Sequence, residues 1–466
     1  MADDTTVTGL ARSVANFDPS SVSPDVIEQT KLLVLDTLGC AIAAEGVELV
    51  EQMRRVSQAL GGASQATLIG GGEKSSVLNA VLVNGTQVRV LDLNDYSVKE
   101  GKPGQLATGG HPSDNIPVAL AVGEWQDKSG LEVIAAIALV YEIYARLIEL
   151  SAARGPFDGT SQSGIAVAAM AGQLMGLGAR RLGHAIAYGA ARCMAPPLMR
   201  RGQISAGKSL SNSLVAQSGV LGAMIAAERV SGPVEVLDHA LGIRNMFSED
   251  ADLSTLAAPF DSVDSILGNH IKAFPCVATG QAAVAAALDL HQWVKGKTDK
   301  IAKIGIIMAD DPYVRGQQGD PQRADPRSHA AADHSFAFTV AVALVDGEMT
   351  PRQYENERWF DPEIRALMDK SEMGNDPALN VKAPLAFPAR VEVTMEDGTT
   401  HASEVPYAPG FSRGRLNRAE VIQKFETFTA PMIDEARLES IKALALRLEE
   451  LDSMDELMAT LSEPIG

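Results

Sequence analysis

A mainly α fold in two domains is expected for this chain, on three observations. Most of the first 260 or so residues carry helical apolar spacing or Ala/Gly-rich runs; β-branched and alternating segments take over after about Phe260; helical patterning then returns from Asn417 onward. At 466 residues the chain is too long for one ordinary core. The expected division is a large all-helical domain begun by residues 1–265, a smaller α+β domain over 266–415, and a helical segment over 416–466 that rejoins the first.

The elements follow in order. Ser23-Pro24 sets a cap residue before Pro at the first helical position, opening a helix through Val26, Ile27, Leu32, Leu33 and Leu35. Glu132 to Leu150 is apolar nearly all round, the pattern of a central buried helix. Ile165 to Leu177, His184 to Ala191 and Leu214 to Ala227 are Ala/Gly-rich, and small residues let helix axes approach closely. With 5% aromatic residues, packing depends on Ala, Val, Leu and backbone contact. Ile301 to Ala309 is β-branched and strand-like. Arg390 to Met395 alternates strictly, Asp397-Gly398 supplies a turn, and Thr400 to Val405 returns, a hairpin with one wet face. Helices are expected from His334 or shortly before, from Thr350-Pro351 with Gln353 able to reach back, and from Asn417 onward.

Composition bounds the function. Apolar residues at 46% against 21% charged describe a packed globular protein. A net charge of −19 argues against a nucleic-acid partner, which requires a basic surface. A local cluster of cations still suits an anionic substrate, and Arg200, Arg201, Lys208, His270, Lys272, Arg413 and Arg415 are candidates. Cys40, Cys193 and Cys276 are far apart with no C-x-x-C pair, as expected of thiols packed in a reduced cytoplasmic protein and not of iron–sulfur ligands. Met1-Ala2-Asp3-Asp4 is unlike a secretory or transit leader. The uncharged run from Gly159 to Ala179 is interrupted by Ser, Gln, Thr and glycines, so a packed helix is expected there, not a membrane span. No G-x-G-x-x-G or P-loop pattern points to a nucleotide. His329, Asp333 and His334 lack a third strong ligand, and no metal is assigned to them.

The densest chemistry lies between Asp92 and Asn115. Leu91-Asp92-Leu93-Asn94-Asp95-Tyr96 precedes a Gly/Lys-rich loop and then Gly110-His111-Pro112-Ser113-Asp114-Asn115. Pro112 keeps His111 out of helical geometry, and Ser113 or Asp114 is expected to cap a helix through Ile116 to Val122. His111 is then placed near a helix N-terminus that attracts anions, with Asp92 or Asp95 orienting its ring. An ordinary loop with a capping Asp has the same spacing.

This segment resembles the signature of the MmgE/PrpD family, which includes 2-methylcitrate dehydratase, cis-aconitate decarboxylase and iminodisuccinate epimerase. The resemblance extends in order through Leu35-Asp36-Thr37-Leu38-Gly39-Cys40, Asn84-Gly85-Thr86, Gly207-Lys208-Ser209, Lys272-Ala273-Phe274-Pro275-Cys276, His334-Ser335-Phe336 and Asp346-Gly347, spanning roughly residues 8 to 430. It implies the inserted two-domain layout, a homodimer formed through helices, and a catalytic group of Asp92, His111, Lys208 and Lys272 converging on one cleft. Asp95, Ser113, Asp158, Arg201 and His334 are assigned to substrate binding. The implied reaction, without metal or other cofactor, is proton abstraction next to a carboxylate with loss of water from a hydroxylated di- or tricarboxylate. Epimerisation, decarboxylation, or a non-catalytic binding role on the same fold are the alternatives.

Three departures bear on that choice. The second His that decarboxylase members carry is absent from Phe157-Asp158-Gly159-Thr160; Phe338 stands where many members have Tyr; and the loop from Val98 to Gly109 is long, with Lys99 and Lys102 among glycines, as in a mobile cover.

Overall fold

The computed structural model describes residues 4–99, 108–151, 155–200, 204–381, 386–411 and 415–465. It is mainly helical, with one four-stranded sheet and two short two-stranded ribbons among the described residues.

Apolar residues gather chiefly into two cores. The larger draws on Val7 through Ile271 and again on Val421 through Ile465. The second draws on Tyr96 and on Cys276 through Phe411. In the first, Pro24–Ala43 is capped by Ser23, whose hydroxyl accepts from Val26 N. Gly130–Leu150 begins at a Ser129/Glu132 capping box and is buried along most of its length. Ser161–Leu174, Ala179–Ala191 and Gly207–Ala227 pack on one another, and glycine permits the approach: a Cβ on Gly189 would stand 2.4 Å from the Gly164 carbonyl oxygen. Gly207–Ala227 is long and apolar enough to cross a membrane; here it packs on the two neighbouring helices and carries Lys208 in its first turn.

In the second core, Ile301–Ala309 runs between Ser371–Asp376, parallel to it, and Ala389–Met395, antiparallel; the last pairs with Thr400–Val405. Gly398 turns the hairpin at φ 85°. Ala389–Met395 buries every second residue, and Gln281–Val294 packs on this hairpin. The edge strand Ser371–Asp376, Ser-Glu-Met-Gly-Asn-Asp, has no alternating apolar signature, and only pairing with Ile301–Ala309 makes it a strand.

Two expected elements differ. The stretch opened by Thr350 has its capping box with Gln353, but it is a series of 3₁₀ turns interrupted where Asn356 and Glu357 adopt φ 52° and 53°. The helix after His111 has no side-chain cap: Pro112–Asn115 forms a 3₁₀ turn and the α-helix Ile116–Trp125 follows. Ser113 and Asp114 are engaged elsewhere, which is why neither caps it. Of the long loop, Ser97–Lys99 and Thr108–Gly110 pair as a ribbon; the proposed cover at its tip lies outside the described residues.

Two ties hold the acidic motif. Tyr96 exchanges both backbone hydrogen bonds with His270, at 2.7 and 3.0 Å. Lys424, from the C-terminal helix Arg418–Thr429, donates to Leu93 O at 3.0 Å while paired with buried Asp36 at 2.5 Å.

Candidate active site

Asp92 is the hub of a buried ion cluster. It follows the helix Val77–Arg89 and has φ 49°, a left-handed conformation that costs a non-glycine residue about 1–3 kcal/mol and needs fixing from outside. Lys272 fixes it, with Nζ donating to the Asp92 carbonyl at 2.8 Å, to Cys276 O at 3.3 Å, and to Asp92 Oδ1. Arg89 Nη1 donates to the same carboxylate at 2.8 Å. Lys208 Nζ reaches Asp92 Oδ2 at 3.4 Å and Asp333 Oδ2 at 2.5 Å. Lys272 and Lys208 are 0% and 2% exposed at the side chain, so neither is a solvated lysine. Burial alone raises a carboxyl's pKa, yet Arg89, Lys272 and Lys208 outweigh it and hold Asp92 well below the usual carboxylate range. Burial pulls the Lys272 ammonium down, against the opposing pull of Asp92.

His334 joins from the start of the next helix, Phe336–Asp346. Its Nδ1 lies 2.5 Å from Asp333 Oδ1 and 3.2 Å from Lys208 Nζ, and its Nε2 is 3.6 Å from Asp92 Oδ2. Asp92, Asp333 and His334 each offer a ligand atom within 4.8 Å of the others, the spacing of a cation site. Lys208 contacts all three, so an ammonium supplies positive charge where a metal would.

His111 is held differently. Its Nδ1 is 2.6 Å from the Asp95 carbonyl oxygen, which can only accept, so the proton sits on Nδ1 and Nε2 keeps its lone pair. The Tyr96 ring meets it edge-on, centroids 5.2 Å apart. Burial, then the charges of Arg89 and Lys272, hold the ring well below the usual histidine pKa, so it is neutral at pH 7. The orienting group is therefore the main chain of Asp95, not a carboxylate. The Asp95 side chain is engaged inside: Oδ1 accepts from Ser113 N at 3.2 Å and Ser113 Oγ at 2.5 Å, and Oδ2 from Tyr141 OH at 2.9 Å and from Asn269. Burial lifts it to about 7 in spite of these donors. Asn94 ties Ser113 to Asp114. Asp95 and Ser113 thus sit in the scaffold beneath His111, with their polar atoms taken up by protein.

Asp158 accepts from Thr160 N and Oγ1 and faces Arg200 Nε at 3.1 Å. Arg201 and Arg413 lie outside the described residues. Arg415 donates to the main chain of Leu267 and Gly268. His270 stacks on Phe411 and burial lowers it to about 4; Cys276 is buried beside Gln281, and Phe338 packs against Tyr354 in the second core. Arg89 and Tyr141 were not foreseen. An arginine three residues before Asp92, followed by Val90 and Leu91, was a readable signal; Tyr141 is one apolar position among many in its helix.

A mainly helical protein thus carries buried Asp, Lys and His side chains where residues of both cores meet, Lys208 from the first facing Asp333 from the second. Two family models cover it, the MmgE/PrpD N-terminal domain over residues 8–256 and the MmgE/PrpD C-terminal domain over 274–450. The chain belongs to the MmgE/PrpD family. Its curated relatives include cis-aconitate decarboxylase of Mus musculus, 24% identical over 98% of this chain and 93% of the relative. The mitochondrial 2-methylcitrate dehydratase of Yarrowia lipolytica is 27% identical over 92% and 84%, and the 2-methylcitrate dehydratase of Escherichia coli K12 is 24% identical over 97% and 95%.

Proposed function

We propose that this protein is a lyase that removes water from a hydroxylated di- or tricarboxylate such as 2-methylcitrate or citrate, using its own side chains alone. The observation that carries the reading is the pairing of a neutral His111, its Nε2 lone pair free of any hydrogen bond among the described residues, with a buried group of two lysines and an arginine. In this reading His111 Nε2 takes the proton from the carbon next to a substrate carboxylate. The electron pair forms the double bond as the C–O bond on the neighbouring carbon breaks, and the proton now on His111 Nε2 passes to the departing hydroxide, which leaves as water and restores the neutral ring. The carbanion-like species adds negative charge, which Arg89 and Lys272, whose charges act on His111, are there to meet, with Lys208 on the far side of Asp92. Dehydration is preferred over decarboxylation because the stretch Phe157-Asp158-Gly159-Thr160 lacks the His that decarboxylase members carry there. Phe338 packs inside the second core, so its lacking a hydroxyl does not argue for an inactive protein.

The domain division at about 265 and 415 and a homodimer belong to the same proposal; the two apolar cores support the first, and the family resemblance implies the second. Incubation of chelator-treated protein with 2-methylcitrate, followed by the absorbance of the new conjugated double bond, tests the reaction. Turnover absent from His111→Ala is the expected result. Deuterium exchange at the substrate carbon without loss of water would replace dehydratase by epimerase, and a wild-type protein inert toward carboxylates would overturn catalysis altogether.

A further inference from the structure

The cations of the hub are largely neutralised where they stand. Lys272 and Lys208 each have a carboxylate in contact, and Lys208 has two. Arg200 is different. It follows the turn Pro197–Met199 and its side chain is 25% exposed, so it reaches the protein's edge while remaining largely covered. One carboxylate touches it, Asp158, whose Oδ1 already accepts two hydrogens from Thr160, while Asp114 and Asp92 act on it from farther off. The Nε of Arg200 stands 3.1 Å from that oxygen without the alignment of a hydrogen bond, and no hydrogen bond reaches either terminal nitrogen among the described residues. A guanidinium is a rigid fork of five donors matched to a carboxylate, and here most of the fork is unspent.

Its surroundings lead back to His111. Asp158 precedes Gly159, whose carbonyl accepts from Tyr144 OH at 3.0 Å. The same hydroxyl lies 2.0 Å from where a Cβ on Gly110 would stand, next to His111 in the chain. Among the described residues, a Cβ on Gly159 would meet nothing closer than that hydroxyl at 3.9 Å. The charge of Arg200 is felt at His111, Tyr96, Tyr144 and Asp114. A forked cation, a vacant shelf at Gly159 and the general-base histidine therefore adjoin.

We infer that Arg200, with the shelf formed by Asp158, Gly159 and Tyr144, is a subsite for a substrate carboxylate remote from the reacting carbon. It makes Arg200 a specificity determinant: molecules with a second, distal carboxylate are held by the fork, and monocarboxylates are not. The inference rests on the proposal that the site takes carboxylates, but not on the reaction that follows.

Calorimetric binding of tricarballylate and of butyrate to the full chain tests it. Arg200→Gln should weaken tricarballylate about 10- to 100-fold, the range for charge-assisted hydrogen bonds, and leave butyrate within about twofold. Arg200→Lys keeps the charge without the fork and should fall between. Filling the shelf with Gly159→Leu should discriminate against tricarballylate in the same sense, with Arg200 intact. Unchanged tricarballylate binding in Arg200→Gln, or equal weakening of both ligands, overturns the subsite while leaving the carboxylate site standing. Failure of the wild-type protein to bind either ligand would sink the functional reading and this inference together.

Discussion

Replacing Lys272 by Met probes the ion cluster where it is most enclosed. The Lys272 side chain is fully buried and donates to three acceptors, two of them on Asp92. Around Asp92 stand three cations, Arg89, Lys208 and Lys272, against Asp92, Asp333 and Asp114. Lys272→Met leaves two cations against three carboxylates among side chains at most 3% exposed, and breaking a buried pair from one side costs about 3–5 kcal/mol. With a urea slope of roughly 3 kcal/mol per M, the unfolding midpoint should fall by about 1 M or somewhat more. A solvated lysine can be replaced without harm to the fold; this one, with no exposed side-chain surface, cannot. Turnover should fall about 10²–10³-fold, the usual effect of deleting one oriented donor. Asp92→Asn alone should destabilise for the opposite reason, three cations against two. In Asp92→Asn/Lys272→Met the count returns to two and two, so the double variant should be more stable than the sum of the single losses while remaining inactive. The assay is a double-mutant cycle of urea midpoints by circular dichroism, with turnover measured on the same preparations. Strictly additive midpoints, or a Lys272→Met protein with wild-type turnover, would refute the reasoning.

Three further outcomes follow from the site. A base whose folded pKa lies well below 6.5 stays unprotonated as the solution is acidified, so any acid limb due to His111 should fall below pH 6.5; a limb centred at or above 6.5 that persists in Asp95→Asn, which removes the one neighbour raised to about 7, would contradict the assigned state of His111. The same depression means the unfolded chain takes up the proton first. Stability attributable to His111 is therefore complete above about pH 6.5 and declines below it, in the same direction as for His270 and His334, each lowered to about 4. Gly110→Ala should displace the Tyr144 hydroxyl, which stands 2.0 Å from the added carbon, and thereby disturb the His111 turn. Turnover should drop, and Gly110→Ala/Tyr144→Phe should recover part of it; kinetics of the two variants side by side decide the point.

The elements with strong local signals were legible in the residues themselves. Ser23-Pro24, the apolar helix ending at Leu150, the alternation from Arg390 to Met395 and the Asp397-Gly398 turn each state their structure within one or two turns of chain. Asp92, Lys208 and Lys272 were singled out by the ordered resemblance to the MmgE/PrpD family, and His111 also by the Pro that follows it. What required the tertiary structure was every relation between distant segments. Ser371–Asp376 becomes a strand only because Ile301–Ala309 offers it an edge, and Ser113 fails to cap a helix because Asp95 claims its hydroxyl. Whether a lysine is solvated or buried depends on what closes over it, and Lys272 meets Asp92 across 180 residues of sequence. Local chain stiffness and apolar periodicity are written in neighbouring residues. The partner that neutralises a buried charge is chosen by packing, and that choice exists only once the two cores have come together.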